Sequence, residues 1–247
     1  MRRIDAPEIL DSENCPVEEV QPALQTLDRI NRFFGGVSTT QKMIERVAVA
    51  TGTKSFSVLD AAAGSGRMLE AVRKRLAASG VLIHGTLLDR DRSHLPRGNF
   101  HQDQPHYARS QASVVGDALA LPFADQSFDL VCCNLFAHHL TPPQLCLFVR
   151  EGLRVSRHAL LINDLVRHAL HLGLVYASYP IMGSHVAWLD GLTSVRRAYV
   201  PAEIREIVAG FPVDSVARIE ISRHYLFRMG AIVWKAQRPV RGACGQL

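Results

Sequence analysis

Polar residues follow four apolar segments of the chain, at the points where predicted strands end. Asp60, Asp89 and Asn134 each close a segment rich in Val, Leu or Cys, and Asp117 follows a shorter apolar segment. Apolar segments of this kind are typical of strands that are buried on both faces of a parallel sheet. Because the carboxyl ends of parallel strands open into one crevice, we expect these four side chains to border a common ligand site.

The segment 58–68, VLDAAAGSGRM, predicts a buried strand, a tight glycine turn and the start of a helix. Gly64 and Gly66 let a ligand approach the backbone closely, because neither carries a Cβ. A dinucleotide pyrophosphate favours several glycines and a helix N-terminus without a fixed anion nearby, and Asp60 would repel it. A ligand with a cationic amino acid end and no phosphate fits better, and S-adenosylmethionine is such a ligand.

The spacing of the next two acids supports the same cofactor. Asp89 lies one strand–helix unit after Asp60, where a carboxylate can accept both hydroxyls of a ribose. Asp117 lies one further unit along, where a carboxylate can accept from the exocyclic amine of adenine.

Alternating strands and helices predict an α/β fold with one doubly wound, Rossmann-like sheet over residues 18–236. The sheet is expected to be mostly parallel, with an antiparallel C-terminal strand formed by the apolar runs 213–221 and 226–234. Residues 1–17 are predicted to be a mobile arm and 237–247 a disordered tail. N-terminal helices are expected within 18–53, the first ending at Gly35-Gly36 and the second beginning after Thr39 as its cap. Residues 165–210 are expected to form a helical insertion and lid, with a helix over 165–179, a loop over 183–197 and a helix over 202–209.

Composition excludes several classes of protein. The net charge of +5 is spread along the chain without a run of like charges, so a nucleic-acid partner is not expected. The five cysteines have no metal-ligand spacing and are expected to be reduced thiols. Neither an export signal nor a membrane span is predicted, and we expect a cytoplasmic monomer or homodimer.

Four strings of the sequence, taken together, resemble the class I S-adenosylmethionine-dependent methyltransferases of the small-molecule branch. They are VLDAAAGSGRML, GTLLDRDRSHL, GDALALPFADQSFDLV and NLFAHHL, and the resemblance spans about residues 55–235. The third is the most specific, because G-D-x-x-x-L-P-F followed by S-F-D marks the branch that includes quinone-pathway enzymes. The family's first motif usually has three glycines, and Ala62 stands in the place of the first.

The resemblance implies a cofactor site in which Asp60 and Gly64 border the methionine part, Asp89 the ribose, and Asp117 with Ala118 the adenine. The complete set of predicted cofactor-binding residues is Asp60, Ala62, Gly64, Gly66, Asp89, Arg90, Asp117, Ala118 and Asn134.

Two adjacent histidines after the fourth strand are the candidates for catalysis. Methyl transfer from a sulfonium mainly requires alignment of the nucleophile and exclusion of water. An oxygen nucleophile also benefits from a base, and His138 or His139 is placed to supply one. The alternative is that the pair is structural and packs the following helix.

The predicted acceptor side lies outside the shared core and is rich in aromatic and basic residues. Its predicted substrate-binding residues are Phe34, Asn163, Arg167, Tyr179, Trp188 and Arg196. They favour a small apolar or aromatic acceptor, whose own carboxylate or phenolate group the arginines would hold. The segments LDRINRFFGG and NDLVRH are similar to those of bacterial methyltransferases of polyketide and other secondary metabolism, which favours O-methylation of a phenolic or carboxylic oxygen.

Several alternatives to that activity are open at this point. The runner-up is C-methylation of a quinone-type ring. Nucleic-acid methylation is less expected, because Asn134-Leu135-Phe136-Ala137 replaces the N/D-P-P-Y/F tetrapeptide of base aminomethylation. A domain that binds the cofactor without catalysis is the third. Asn163-Asp164 is similar to the magnesium site of catechol-type methyltransferases, but the fourth strand ends in Asn134, not an acid, and no metal is predicted.

Overall fold

A computed structural model describes residues 1–11, 17–96, 111–212 and 215–236, and the predicted tail at 237–247 lies outside them. The α-helices are α1 (Val17–Phe33), α2 (Gly36–Thr51), α3 (Arg67–Ala78), α4 (Pro142–Val155), α5 (Ala169–Ala177), α6 (Tyr179–Met182), α7 (His185–Arg197) and α8 (Pro201–Ala209). The strands are β1 (Ser55–Ala61), β2 (Leu82–Asp89), β3 (Gln111–Val115), β4 (Phe128–Asn134), β5 (Ser156–Leu165), β6 (Val216–His224) and β7 (Arg228–Lys235), and a short 3-10 helix covers Ala137–His139.

The strands form a seven-stranded sheet in the order β3-β2-β1-β4-β5-β7-β6. Strands β1 to β5 pair in parallel, and β7 inserts antiparallel between β5 and β6. This confirms the predicted doubly wound sheet with an antiparallel C-terminal part. The strand order reverses between β1 and β4, and a reversal of this kind leaves a crevice at the carboxyl ends of the two strands.

The sheet is buried on both faces, which explains its continuous apolar strands. In β4, Val131 and Cys133 pack on one face with α4 and α8, whereas Leu130 and Cys132 pack on the other with α2 and α3. Successive side chains of a strand point to opposite faces, so a strand between two helical layers needs apolar residues at every position. Cys132 and Cys133 are buried free thiols that help to fill this core.

Helix α2 begins earlier than the sequence predicted. It starts at Gly36, and Gly35 precedes it in the left-handed conformation at φ 81°. Thr39 is therefore a buried residue of the first turn and does not cap the helix. The two glycines end α1 as expected, but the chain turns directly into the next helix, so no linker separates them.

Residues 183–197 were expected to form a loop, and this expectation is wrong because they contain helix α7. The side chain of Ser184 caps it by accepting a hydrogen bond from the Ala187 N–H. The buried face of α7 includes Asp190, Ser194 and Arg197, which are satisfied by hydrogen bonds to other segments. Because polar residues occupy inward positions, the helix lacks the apolar periodicity by which a sequence predicts it.

The described part of the N-terminal arm, residues 1–11, packs against the protein, which differs from the expected mobile arm. The Arg3 side chain donates to the carbonyl oxygens of Arg197, His138 and Leu140. The N–H groups of Ile9 and Leu10 donate to the Asp190 carboxylate. Polar contacts to partners distant in sequence hold this segment, and composition does not reveal such contacts. Among the residues that the structure describes, no helix has the length and apolar character needed to cross a bilayer.

The glycine turn before α3 gives a test of the local geometry. Gly66 has φ +69°, and a Cβ there would lie 2.4 Å from Cδ1 of the buried Leu87. Gly80 has φ +77° with open space around its Cβ position, so it provides a matched control. We expect Gly80→Ala to cost about 1 kcal/mol, from the backbone alone, and Gly66→Ala to cost about 1–3 kcal/mol more, from overpacking. Urea unfolding of both variants measures the difference, and equal losses would contradict the packing argument.

Candidate functional site

The turn between β1 and α3 carries three residues in the left-handed region. Ala62, Gly64 and Gly66 have φ angles of 57°, 52° and 69°. The left-handed conformation favours glycine and is strained for a residue with a Cβ. This explains why the first motif of the methyltransferase family usually has glycine at the position of Ala62. At Gly64 an added Cβ would meet no atom within 4 Å, which leaves open space beside the backbone.

Asp89, the last residue of β2, is bound to this turn. Its Oδ2 accepts a hydrogen bond of 2.9 Å from the Gly64 N–H. Its Oδ1 accepts from the Asp91 N–H and lies 3.2 Å from Nδ1 of His94. Burial acts to raise the pKa of Asp89, but these hydrogen bonds outweigh it and lower the pKa. The carboxylate is therefore ionised and held at the open side of the turn.

Asp60 lies in a buried polar network below the crevice. Its Oδ1 accepts from Nδ2 of Asn134 at 3.1 Å and from the thiol of Cys132 at 3.4 Å. Asn134 Oδ1 in turn accepts from Thr40 Oγ1 at 2.5 Å and from Asn163 Nδ2 at 3.1 Å. The network joins the carboxyl ends of β1, β4 and β5 to α2, so the predicted residues Asp60, Asn134 and Asn163 do come together.

Arg228, at the start of β7, completes this network from the antiparallel side. It is 1% exposed, its Nε donates to the Phe34 carbonyl oxygen at 2.8 Å, and its Nη1 lies 3.4 Å from Asn163 Oδ1. Burial lowers the pKa of Arg228 to about 10, and burial raises the pKa of Asp60 to about 7 against the hydrogen bonds from Cys132 and Asn134. Both shifts have the same cause, because burial disfavours the charged form of each side chain.

The remaining predicted cofactor residues lie on the same edge of the sheet. Asp117 is exposed after β3, and its Oδ1 accepts from the Leu119 N–H at 2.8 Å. Ala118 is buried in the core beside it, and Arg90 is exposed directly after β2. Their role in binding a cofactor stays a prediction.

The two histidines have different surroundings. His138 is 2% exposed, with Nδ1 2.7 Å from Asp164 Oδ1 and Nε2 3.3 Å from Glu8 Oε1. Burial alone would lower the pKa of His138, but the two carboxylates raise it to about 10. A ring with both nitrogens facing carboxylates is poorly suited to take a proton from an acceptor. His139 is partly exposed, and its Nδ1 lies 2.8 Å from Asp11 Oδ2.

Three of the predicted acceptor residues form one cluster on α5 to α7. The rings of Tyr179 and Trp188 have centroids 4.8 Å apart, and Tyr176 packs on the other side of Trp188 at 6.0 Å. Arg196 donates from Nη2 to the Tyr176 hydroxyl at 3.0 Å. Tyr179 is 52% exposed, so this aromatic cluster is open to solvent.

The other three predicted acceptor residues do not join that cluster. Arg167 donates from Nη1 and Nη2 to the Glu203 carboxylate and from Nη1 to the Ala198 carbonyl, so its guanidinium is occupied within the protein. Asn163 is fully buried in the network. Phe34 is 42% exposed next to the Arg228 contact.

Sequence reasoning did not identify Thr40, Arg228, Glu8, Asp11 or His94 as part of this region. Arg228 stands at the head of an otherwise apolar strand, which is a signal that a buried charge needs partners. His94 follows Asp89 by one loop, within reach of its carboxylate. Glu8 and Asp11 lie in an acidic, proline-containing segment that carries no comparable signal.

Comparison with known proteins shows which proteins this chain is similar to. Residues 58–159 match the family model described as a methyltransferase domain. The ubiquinone/menaquinone biosynthesis C-methyltransferase UbiE of Roseobacter denitrificans is 35% identical over 117 residues, which cover 47% of this chain and 43% of the relative. The plantazolicin methyltransferase BpumL, solved with a monoazolic desmethylPZN analog and SAH, has a TM-score of 0.67 at 14% identity over 90% of this chain and 91% of its own. An O-methyltransferase family 2 protein from Planctomyces limnophilus, solved with apigenin, has a TM-score of 0.58 at 16% identity over 91% of this chain and 63% of its own.

The chain therefore shares the Rossmann-like fold of these methyltransferase structures, and residues 58–159 are similar to the methyltransferase domain that the sequence motifs predicted. In sequence, the matched segment is similar to the quinone-pathway C-methyltransferases. The match spans less than half the length of those curated relatives.

The buried carboxyl of Asp60 predicts a pH dependence of stability. Its pKa is raised from 3.8 to about 7, so the folded protein binds a proton that the unfolded chain has lost between these pH values. The contribution of Asp60 to the free energy of unfolding should therefore fall by up to about 1.4 kcal/mol per pH unit from pH 5 to 7 and then level off. In Asp60→Asn this slope should be absent. His138, whose pKa is raised from 6.5 to about 10, adds a separate fall at higher pH.

Asp129→Asn is the matched control, because hydrogen bonds from Ser57 and Arg157 lower the pKa of Asp129. A lowered carboxyl pKa changes stability only in acid below this range. Urea unfolding at several pH values measures all three proteins, and an unchanged slope in Asp60→Asn would contradict the assignment.

Proposed function

We propose that the protein transfers a methyl group from S-adenosylmethionine to a small aromatic or apolar acceptor. The observation that carries the proposal is the Asp89 carboxylate bound to the Gly64 N–H beside an open turn, at the point where the strand order reverses. A carboxylate beside an open glycine turn suits a ligand that offers hydroxyl donors and needs close approach to the backbone.

The residues present fit this cofactor. Among the described residues no cationic side chain pairs with Asp60, so the ammonium of the methionine part would supply the missing charge at that end of the site. Asp89 would hold the ribose and Asp117 with Ala118 the adenine. S-adenosylmethionine supplies an activated methyl group, and the protein has to align the acceptor and exclude water.

The acceptor is proposed to be a phenolic or carboxylic compound methylated on oxygen, with the exposed Tyr179–Trp188 cluster contributing to its apolar site. Arg196, which extends from the same helix as Trp188, would attract an anionic oxygen of the acceptor. Both histidines face carboxylates, but His139 is the better placed to assist as a base, because it is partly exposed and its Nε2 lies farther from Glu8 than Nε2 of His138 does.

C-methylation of a quinone-type ring is a second candidate. Two observations favour it: the similarity of residues in the matched segment to UbiE proteins, and the engagement of both His138 nitrogens. A ring carbon next to an ionised hydroxyl is already nucleophilic, so such an acceptor depends less on a base from the protein.

Cofactor binding is tested by titrating the protein with S-adenosylhomocysteine in a calorimeter. In Asp89→Ala we expect the affinity to fall by about 10- to 100-fold, because hydrogen bonds to a charged group are worth about 1.5–3 kcal/mol. Asp125→Asn is the control, since Asp125 is an exposed carboxylate that precedes β4 at the opposite end of the sheet. Absence of binding to the unmodified protein would overturn the proposal.

The site of methylation is tested with methyl-labelled cofactor and a panel of phenols, aromatic acids and quinols. Mass spectrometry detects the transfer, and the carbon chemical shift of the new methyl group distinguishes a methyl ether or ester from a ring methyl. A methyl ether or ester supports O-methylation, and a ring methyl supports the second candidate. Cofactor binding without transfer to any member of the panel would contradict both.

A further inference from the structure

Glu8, His138 and His139 place one ligand atom each at a common point, although they come from separate parts of the chain. One oxygen of Glu8, one ring nitrogen of His138 and one ring nitrogen of His139 all lie within 4.8 Å of one another. Glu8 lies in the N-terminal segment, and the histidines lie in the 3-10 helix after β4. The sequence predicted no metal, and its rejected candidate, Asn163-Asp164, did not involve these residues as ligands.

We propose that Glu8, His138 and His139 bind a divalent transition metal ion of the zinc type. Two imidazoles and one carboxylate are a ligand set that suits Zn²⁺ and Fe²⁺, and three protein ligands leave a position open. The proposal concerns metal binding, and it does not depend on methyl transfer.

The distances between these atoms are close to those that a metal requires. Ligand atoms about 2.1 Å from a tetrahedral zinc ion lie about 3.4 Å apart. Nε2 of His138 is 3.3 Å from Glu8 Oε1, and Nε2 of His139 is 3.8 Å from Glu8 Oε2. Each of these two pairs is within a few tenths of an ångström of that spacing, through a different oxygen of Glu8. The three ligand atoms as a set lie within 4.8 Å of one another, so the side chains have to move closer together to bind an ion.

Each histidine has a carboxylate on its other nitrogen. Nδ1 of His138 is 2.7 Å from Asp164 Oδ1, and Nδ1 of His139 is 2.8 Å from Asp11 Oδ2. A carboxylate on Nδ1 fixes the tautomer that presents the Nε2 lone pair, and metal-binding histidines commonly have such a partner. Both rings are therefore oriented so that Nε2 points to Glu8.

Other contacts hold the three ligands and their partners in place. Ser194 donates from Oγ to Glu8 Oε1 at 2.7 Å. Asp164 also accepts from the backbone N–H groups of His138 and Leu165. Glu8, His138, Asp164 and Ser194 are buried before any ligand binds, so a metal would find this part of the site formed.

The charge of the cluster also favours a cation. Three carboxylates, from Glu8, Asp11 and Asp164, surround two imidazoles. The cationic side chain at the edge is Arg197, whose Nη1 is 3.9 Å from Asp11 Oδ2, while Arg3 donates to the His138 carbonyl oxygen. A divalent ion would balance the remaining negative charge. A proton shared by His138 and Glu8 is the competing occupant, and the experiment distinguishes the two.

The open position would face the solvent side of the cluster. His139 and Asp11 have 23% and 46% of their side chains exposed, whereas Glu8 and His138 are enclosed. An ion there would be reached through this edge and could take water or an anionic oxygen as its further ligand.

The test uses full-length, tag-free protein that has been treated with EDTA and dialysed, and then titrated with Zn²⁺ against a chromophoric chelator. We expect one ion per chain, and Co²⁺ should give the visible spectrum of a tetrahedral site with nitrogen and oxygen ligands. In Glu8→Gln and His139→Gln the affinity should fall by about 100-fold or more, and in Asp164→Asn by about 10- to 100-fold.

Asp125→Asn is the control variant for metal binding, and it should retain the affinity of the unmodified protein. Because Glu8→Gln can loosen the N-terminal segment, His139→Gln serves as the second ligand variant, since its side chain is less enclosed and circular dichroism can confirm its fold. Absence of stoichiometric Zn²⁺ binding, or equal binding by the unmodified protein and both ligand variants, would overturn the proposal and leave the proton-linked ion pair as the explanation.

Discussion

The burial of Arg228 and Asp60 beneath the carboxyl ends of the central strands is the constraint on which the rest of the site depends. A buried charge is costly unless hydrogen-bonding partners surround it. Asn134 and Cys132 are the partners of Asp60, and Asn163 and the Phe34 carbonyl are those of Arg228. Thr40 bonds to both asparagines and so fixes α2 against β4 and β5. The antiparallel β7 is needed to deliver Arg228 to this point, so the floor of the crevice joins the parallel and antiparallel parts of the sheet.

Above this floor, the glycine turn and the Asp89 carboxylate form a second, more open layer. The turn requires left-handed backbone at three positions, and the sequence supplies glycine at two of them and Ala62 at the third. The N-terminal segment forms a third layer, because Arg3 and Glu8 bind the 3-10 helix and α7. The crevice is thus built by the edge of the sheet, and the surface beside it by segments outside the sheet.

Sequence reasoning predicted the elements whose pattern is local. Continuous apolar strands ending in acids identified β1, β2 and β4 and the position of Asp60, Asp89 and Asn134, because a strand buried on both faces leaves a periodic signal. It did not predict α7, since that helix buries Asp190, Ser194 and Arg197 towards partners in other segments. It also assigned Arg167 to the acceptor, whereas Glu203 and the Ala198 carbonyl occupy its guanidinium.

The sequence by itself determined the fold class and the polar residues at the carboxyl ends of the strands, because the spacing along each strand–helix unit places those residues at one sheet edge. The tertiary structure showed the order of the strands and its reversal between β1 and β4. Only the tertiary structure decided what surrounds His138 and His139. Glu8, Asp11 and Asp164 come from segments far apart in the chain, and their meeting depends on how residues 1–11 pack on α7 and the 3-10 helix. Contacts between side chains that are distant in sequence produce no periodic pattern in the sequence. The partners of such side chains are therefore visible only in the folded chain.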